Sequence, residues 1–263
     1  MTASPLASGA DPDDVPLLEF DPSPHAVIEP EMTMRGARIP ERLVLCFFRD
    51  VIATEVDGRL PIVHRLTSEV GPHPVWVDGE DARAVGVLHP GVGAPLAAAC
   101  LEEAIAAGAR TVVAVGGAGA LVPELALGHV VVPDAAVRDE GTSYHYLPPS
   151  RTVEADPEVL AATLAFLDAR GVPHRAAPTW TTDALYRETP ARVARRRAEG
   201  CVTVEMETAA FYAVARFRGI TCIQLLYAAD DLSGETWDDR GWMGARDVRT
   251  SLFRLALDLA REL

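Results

Sequence analysis

The chain contains no lysine; its 24 Lys/Arg positions are all arginine. That absence excludes a Schiff-base lysine and a phosphate-loop lysine together. Acidic residues number 38, and the resulting net charge of −14 argues against a nucleic-acid partner, because phosphate backbones are bound by basic faces. No apolar run approaches the roughly 20 residues that span a bilayer, so no membrane partner is expected. The N-terminus, MTASPLASGADPDDVPLLEF, lacks a basic region followed by an apolar core and does not read as a secretory signal. Its Pro, Ala, Ser and Asp content predicts a poorly ordered leader over 1–16. Cysteine is scarce and scattered: Cys46, Cys100, Cys201 and Cys222 form no C-x-x-C pair, and three of the four lie in apolar segments as small hydrophobes. A reducing cytoplasm is the expected compartment. Seven histidines show no metal-ligand spacing, so no metal is expected.

What is present is apolar and periodic. Hydrophobic residues make up 49% of 263, enough for a substantial core. Strand-like runs at 42–48, 84–89, 111–116, 129–133 and 221–229 alternate with helical patterns at 93–109, 156–171 and 246–263. Asp156 reads as an N-cap with Pro157 behind it, and Gly108 and Gly171 as helix stops. This alternation predicts an α/β fold: a single domain over 17–263 with a central mixed, largely parallel β-sheet flanked by helices.

The segment VTVEMETAAFYAVARFRGI (202–220) sets two carboxylates, Glu205 and Glu207, around Met206 in a run that is otherwise mostly apolar. A buried carboxylate must be hydrogen-bonded or paired, so something needs those oxygens. HPGVGAP (89–95) follows a strand and opens a helix, a geometry that aims N–H groups at an anion. It fails the dinucleotide fingerprint, since Leu96 stands where the third glycine belongs, and VGGAGAL (115–121) fails as well. YAADD (227–231) puts Asp230 and Asp231 at the end of an apolar strand, the edge where α/β sheets bind ligands. WTTDALYRET (180–189) sets Trp180 beside a polar cluster, and an aromatic there suits stacking on a planar ring. His89 and His145 are weaker candidates.

Taken in order, these segments resemble the nucleoside phosphorylase family, which includes uridine phosphorylase, bacterial purine nucleoside phosphorylase and methylthioadenosine nucleosidase. The resemblance covers roughly 42–262 and rests on the two glycine turns of 89–121, on VRDEGTSYHYLPP (137–149), on WTTDALY, and above all on VEMETAA. It implies that Glu207 binds the ribose hydroxyls, with Met206 packed on the sugar and Glu205 a weaker candidate. It also implies that Trp180 and Asp183 lie on the base side, and that Asp230 assists base departure with Arg246, or else Arg240, in support. VRDEGTSYHY is most similar to the uridine branch, whereas Asp230 matches the purine branch, so the base stays open.

The departures concern phosphate. The family's G-D-P-x-R turn has at best FDPSPHA (20–26) as its counterpart, and Ala114 and Gly117 stand where an arginine and a hydroxyl residue are expected. A phosphate dianion without cationic donors is poorly bound. Gly91, Gly93, Gly117, Arg49 and Arg138 are the replacement anion candidates, with Arg65 behind them. The expected function is phosphorolysis of a nucleoside, releasing free base and pentose 1-phosphate. Hydrolysis by water is the alternative, and a non-catalytic nucleoside-binding protein stands third. No cofactor is implied beyond inorganic phosphate as co-substrate, and relatives imply a homo-oligomer, dimer or hexamer.

Overall fold

The computed structural model describes residues 15–263, so all but the last two residues of the expected leader lie outside it. In chain order, a short helix α1 (Pro30–Met34) precedes β1 (Arg42–Cys46) and the one-turn α2 (Arg49–Val51). The hairpin β2 (Ile62–Ser68) and β3 (Gly71–Asp78) leads to β4 (Val85–Leu88), α3 (Ala94–Ala106), β5 (Thr111–Ala120), β6 (Val130–Asp139) and β7 (Thr152–Glu154). Then follow α4 (Pro157–Ala169), β8 (His174–Thr182), α5 (Pro190–Ala198), β9 (Thr203–Glu205), α6 (Thr208–Arg218), β10 (Thr221–Asp231) and α7 (Arg246–Glu262).

These strands form one sheet in the order β10-β6-β8-β9-β5-β1-β4-β3-β2, with β7 added to β6. The expected mixed, largely parallel sheet is present: β4, β1, β5 and β10 run parallel through it. Because β10 pairs with β5 as well as with β6, the strands β5, β10, β6, β8 and β9 close into a ring, from which β1, β4, β3 and β2 extend. β1 shows why its run is apolar throughout. Leu43 and Leu45 face α3 and α6, while Val44 and Cys46 pack in the cluster of Phe253, Ala256 and Leu259 of α7. Both faces of such a strand are covered, so alternation gives way to continuous hydrophobicity.

Helices α4 and α5 begin at side-chain caps, Asp156 and Thr189. The Asp156 carboxylate accepts from the N–H groups of Glu158 and Val159 at 2.9 and 3.1 Å, with Pro157 at the first helical position. The hairpin β2–β3 and helix α5 are additions to the sequence reading. Pro72 and Pro74 in the hairpin read as breakers but are tolerated next to the edge strand, and PARVARRRA lacks an apolar stripe. Two strands also run further than their apolar cores. β5 continues through GGAGA to pair with β9, and β6 continues to Asp139. No helix among the described residues is long and apolar enough to cross a membrane.

Candidate active site

The parallel strands β1, β5 and β10 end on one edge of the sheet. There the chain encloses a cavity of about 350 Å³, within the size of small-molecule sites. Its lining falls into three groups of side chains.

The first group answers the question of the two glutamates. Glu205, at the end of β9, is buried, and its carboxylate accepts from Thr181 Oγ1 at 2.6 Å and from the N–H groups of Glu207 and Thr208 at 2.7 Å each. It therefore satisfies the opening turn of α6, and burial still raises its pKa. Glu207 lies in the cavity wall beside Met206. Its Oε1 accepts the N–H of Gly93 at 2.5 Å. Burial, with the Glu205 charge second, pushes the Glu207 carboxyl up to about 8. Gly93 takes φ +94 to turn that N–H inward, a conformation that disfavours any side chain. The glycine turn does donate to an acidic group, but that group is the protein's own Glu207 carboxyl. Gly91 is likewise committed, since its N–H donates to His89 Nδ1 at 3.1 Å. Neither N–H is free for a ligand, which corrects the expectation for Gly91 and Gly93.

The second group stands at the end of β10. Asp230 lines the cavity, and its Oδ2 accepts from Trp237 Nε1 at 2.7 Å. Glu188, from the turn before α5, lines the same cavity. Gly119 lies beneath: a Cβ there would meet Leu232 Cδ1 at 2.5 Å and Val204 Cγ1 at 3.0 Å, so a side chain would have to displace those neighbours.

The third group lies where the anion end is expected, beside Gly116 and Gly117. Phe47 and Phe48 follow β1 directly, and the Phe48 ring meets Tyr227 at 5.7 Å between centroids. Arg249 of α7 lines this wall, 5.3 Å from the rings of both Phe48 and Trp242, with its Nη1 2.7 Å from Asp50 Oδ1. Tyr227 Oη and Arg249 Nε are buried without a hydrogen-bond partner among the described residues. Gln224, 1% exposed, also lines the cavity, its Oε1 held by Thr208 Oγ1 at 3.0 Å.

Several expected residues lie elsewhere. Trp180 is fully buried and absent from the cavity wall; its Nε1 donates to Asp139 at 2.8 Å, and Arg192 and Arg196 cover the ring. Asp183 ties a loop by accepting the Gly141 N–H at 2.9 Å. Arg138 is buried and engaged inside the protein, donating to Ser143, Ser150 and the carbonyls of Leu147 and Pro148. Arg49 and Arg65 are exposed, and Arg246 is exposed at the first position of α7, one turn before Arg249. Arg240 pairs with Asp231. Residues 21–26 of FDPSPHA are exposed, and the turn at the end of β1 is Phe47–Phe48 instead. Of the expected anion ligands, Gly117 alone reaches the cavity. Among the described residues no group of three or more His, Cys, Asp or Glu is arranged for a metal.

Glu188, Gln224, Tyr227, Arg249 and the Phe47–Phe48 pair were not found by sequence reasoning. Gln224 left a signal, as a polar residue inside an apolar strand. Phe47 and Phe48 sat at a strand end on the ligand-binding edge but read as core.

Comparison with known proteins bears on the family and the fold. A sequence model described as the phosphorylase superfamily matches residues 76–256. Uridine phosphorylase of Thermococcus kodakarensis is 36% identical over 102 residues, 39% of this chain and 37% of that protein. Guanosine phosphorylase of Halorubrum lacusprofundi is 29% identical over 143 residues, 54% of this chain and 58% of that protein. These matches span 37% and 58% of the relatives' lengths, less than two thirds of either. In three dimensions, uridine phosphorylase from Vibrio fischeri superposes with a TM-score of 0.71 at 24% identity, covering 85% of this chain and 91% of that one. Purine nucleoside phosphorylase from Toxoplasma gondii, in complex with immucillin-H, superposes at 0.68 and 19% identity, covering 87% and 91%. With the family model spanning most of the chain and the fold shared with nucleoside phosphorylases, the chain belongs to the phosphorylase superfamily.

Proposed function

We propose that the protein is an enzyme that cleaves the N-glycosidic bond of a nucleoside by phosphorolysis, releasing free base and pentose 1-phosphate. The observation that carries this reading is the sharing of one cavity by the Glu205–Met206–Glu207 segment and Asp230. Glu207 suits a ribose diol, because a carboxylate accepts two hydroxyl protons at once. Its burial makes it a weak acid, and positive charge growing at C1′ favours its anionic form as the bond breaks. Met206 supplies an apolar surface for the sugar, and Asp230 lies on the side of the departing base. Inorganic phosphate is the co-substrate, and no cofactor is required.

A second reading, hydrolysis, has its own support. The arginine that lines the cavity, Arg249, is already paired with Asp50, and phenyl rings occupy the turn after β1. Water then attacks C1′. The names of relatives leave both uridine and purine nucleosides as substrate classes. We further propose a homo-oligomer in a reducing cytoplasm. The four buried free thiols and an apolar cavity rim, Val92 at 64% and Leu185 at 48% exposure, favour it.

Release of base from a panel of nucleosides, with and without phosphate, tests the proposal. Phosphorolysis requires turnover that rises and saturates with phosphate while pentose 1-phosphate accumulates. Full activity in phosphate-free buffer, with free pentose as product, refutes it in favour of water.

A further inference from the structure

Two carboxyl groups, Glu188 and Asp230, share the cavity and are held in opposite ways. Asp230 is fixed by the indole N–H of Trp237. Glu188 has no hydrogen bond to its carboxyl among the described residues, although its backbone is fixed on both sides. The N–H of Glu188 donates to Leu185 O at 3.3 Å, and the next residue, Thr189, caps α5. Glu188 lines the cavity and also a smaller adjoining recess of about 210 Å³, whose lining includes Arg197 and Glu235.

We propose that Glu188 is the catalytic acid that protonates the departing base, with Asp230 as the fixed carboxylate that keeps the proton on it. The inference rests on the glycosidic-cleavage reading. As the C1′–N bond breaks, its electron pair passes to the base. The Glu188 O–H proton moves to an acceptor nitrogen or oxygen of that base, and the incoming oxygen of phosphate, or of water that gives up one proton to solvent, bonds to C1′. Glu188 is left as a carboxylate and recovers a proton from solvent after the base leaves. Two carboxyls with different surroundings divide the work of acid and anion in this way. Burial, followed by the Asp230 charge, pushes Glu188 up to about 7, so the acid form is populated at neutral pH. Arg197 and Glu235 share the adjoining recess with Glu188 and Glu207 shares the cavity; Arg197 donates to the Ser233 carbonyl and forms no ion pair with Glu188 among the described residues.

The test compares the wild-type protein with Glu188→Gln and Asp230→Asn across about pH 5 to 9, on a nucleoside and on p-nitrophenyl riboside, whose leaving group needs no acid. Wild-type nucleoside cleavage should fall as pH rises through about 7. Glu188→Gln should lose about 100- to 10,000-fold on the nucleoside, lack that alkaline fall, and keep its rate on p-nitrophenyl riboside. Asp230→Asn should move the fall to lower pH, because one of the two causes holding the proton is gone. An unchanged nucleoside rate and pH profile in Glu188→Gln overturns the proposal. So does an equal loss on both substrates in a variant that melts normally. A wild-type protein that cleaves neither substrate overturns the glycosidic reading itself, and the role of Glu188 with it.

Discussion

Glu207→Gln separates function from stability, because the structure assigns the carboxylate opposite effects on the two. The group is 6% exposed and its pKa is raised from 4.5 to about 8. The sign follows from linkage. Below about pH 4.5 the folded and unfolded chains both carry the proton, and the group has no net effect. As pH rises the unfolded chain ionises first, so folding is progressively disfavoured until the folded group ionises near pH 8. The penalty grows with pH, by at most about 1.4 kcal/mol per pH unit, and levels off above about pH 8. Glutamine keeps an oxygen for the Gly93 N–H but carries no charge, so it removes the penalty. Urea unfolding at pH 5, 7 and 8.5 should therefore find the variant more stable, by a margin that grows with pH. Catalysis should move the other way, by about 30- to 1,000-fold in kcat/KM, since a charge-assisted contact to the transition state is lost. A variant less stable than wild type at pH 8.5 refutes the electrostatic argument. A stabilised variant with full activity refutes the sugar-binding role.

Much of the fold was legible because its helices and central strands are written in apolar periodicity. The ring closure was not. It depends on GGAGA at the end of β5 pairing with β9 through Gly119 and Ala120, and small residues carry no strand signature. The site divides along the same line. Glu205 and Glu207 stand out as charges in an apolar run, and Asp230 as a charge at the end of a strand, so local sequence is enough to single them out.

Tyr227 needs register as well. Only the β5–β10 pairing sets it opposite Gly117, whose missing side chain leaves room for the phenol. Arg249 needs tertiary packing, since nothing within α7 distinguishes it from Arg246. Trp180 and Arg138 misled for a shared reason. Each is polar and close to a motif, but each side chain is satisfied inside the protein, by Asp139 and by loop carbonyls respectively. A motif fixes where the backbone passes; it does not fix which way a side chain turns.

Further substitutions test these placements. Trp180→Phe should leave KM for the nucleoside unchanged and lower stability by about 1.5–3 kcal/mol, the worth of a hydrogen bond to a charged group. A large rise in KM without a change in melting would return Trp180 to the base. Arg249→Gln addresses the anion end. If Arg249 holds the attacking phosphate despite its pairing with Asp50, the phosphate KM should rise about 10- to 150-fold, matching a charge-assisted bond of about 1.5–3 kcal/mol. Asp50→Asn should act in the opposite direction, because it releases the guanidinium from its 2.7 Å partner. The two variants together guard against a folding artefact, since unfolding would lower activity in both rather than shift phosphate dependence in opposite senses. If neither changes the phosphate dependence and Arg65→Ala or Arg49→Ala does, the cation comes from an exposed arginine, and a second copy of the chain becomes the natural way to bring it to the cavity.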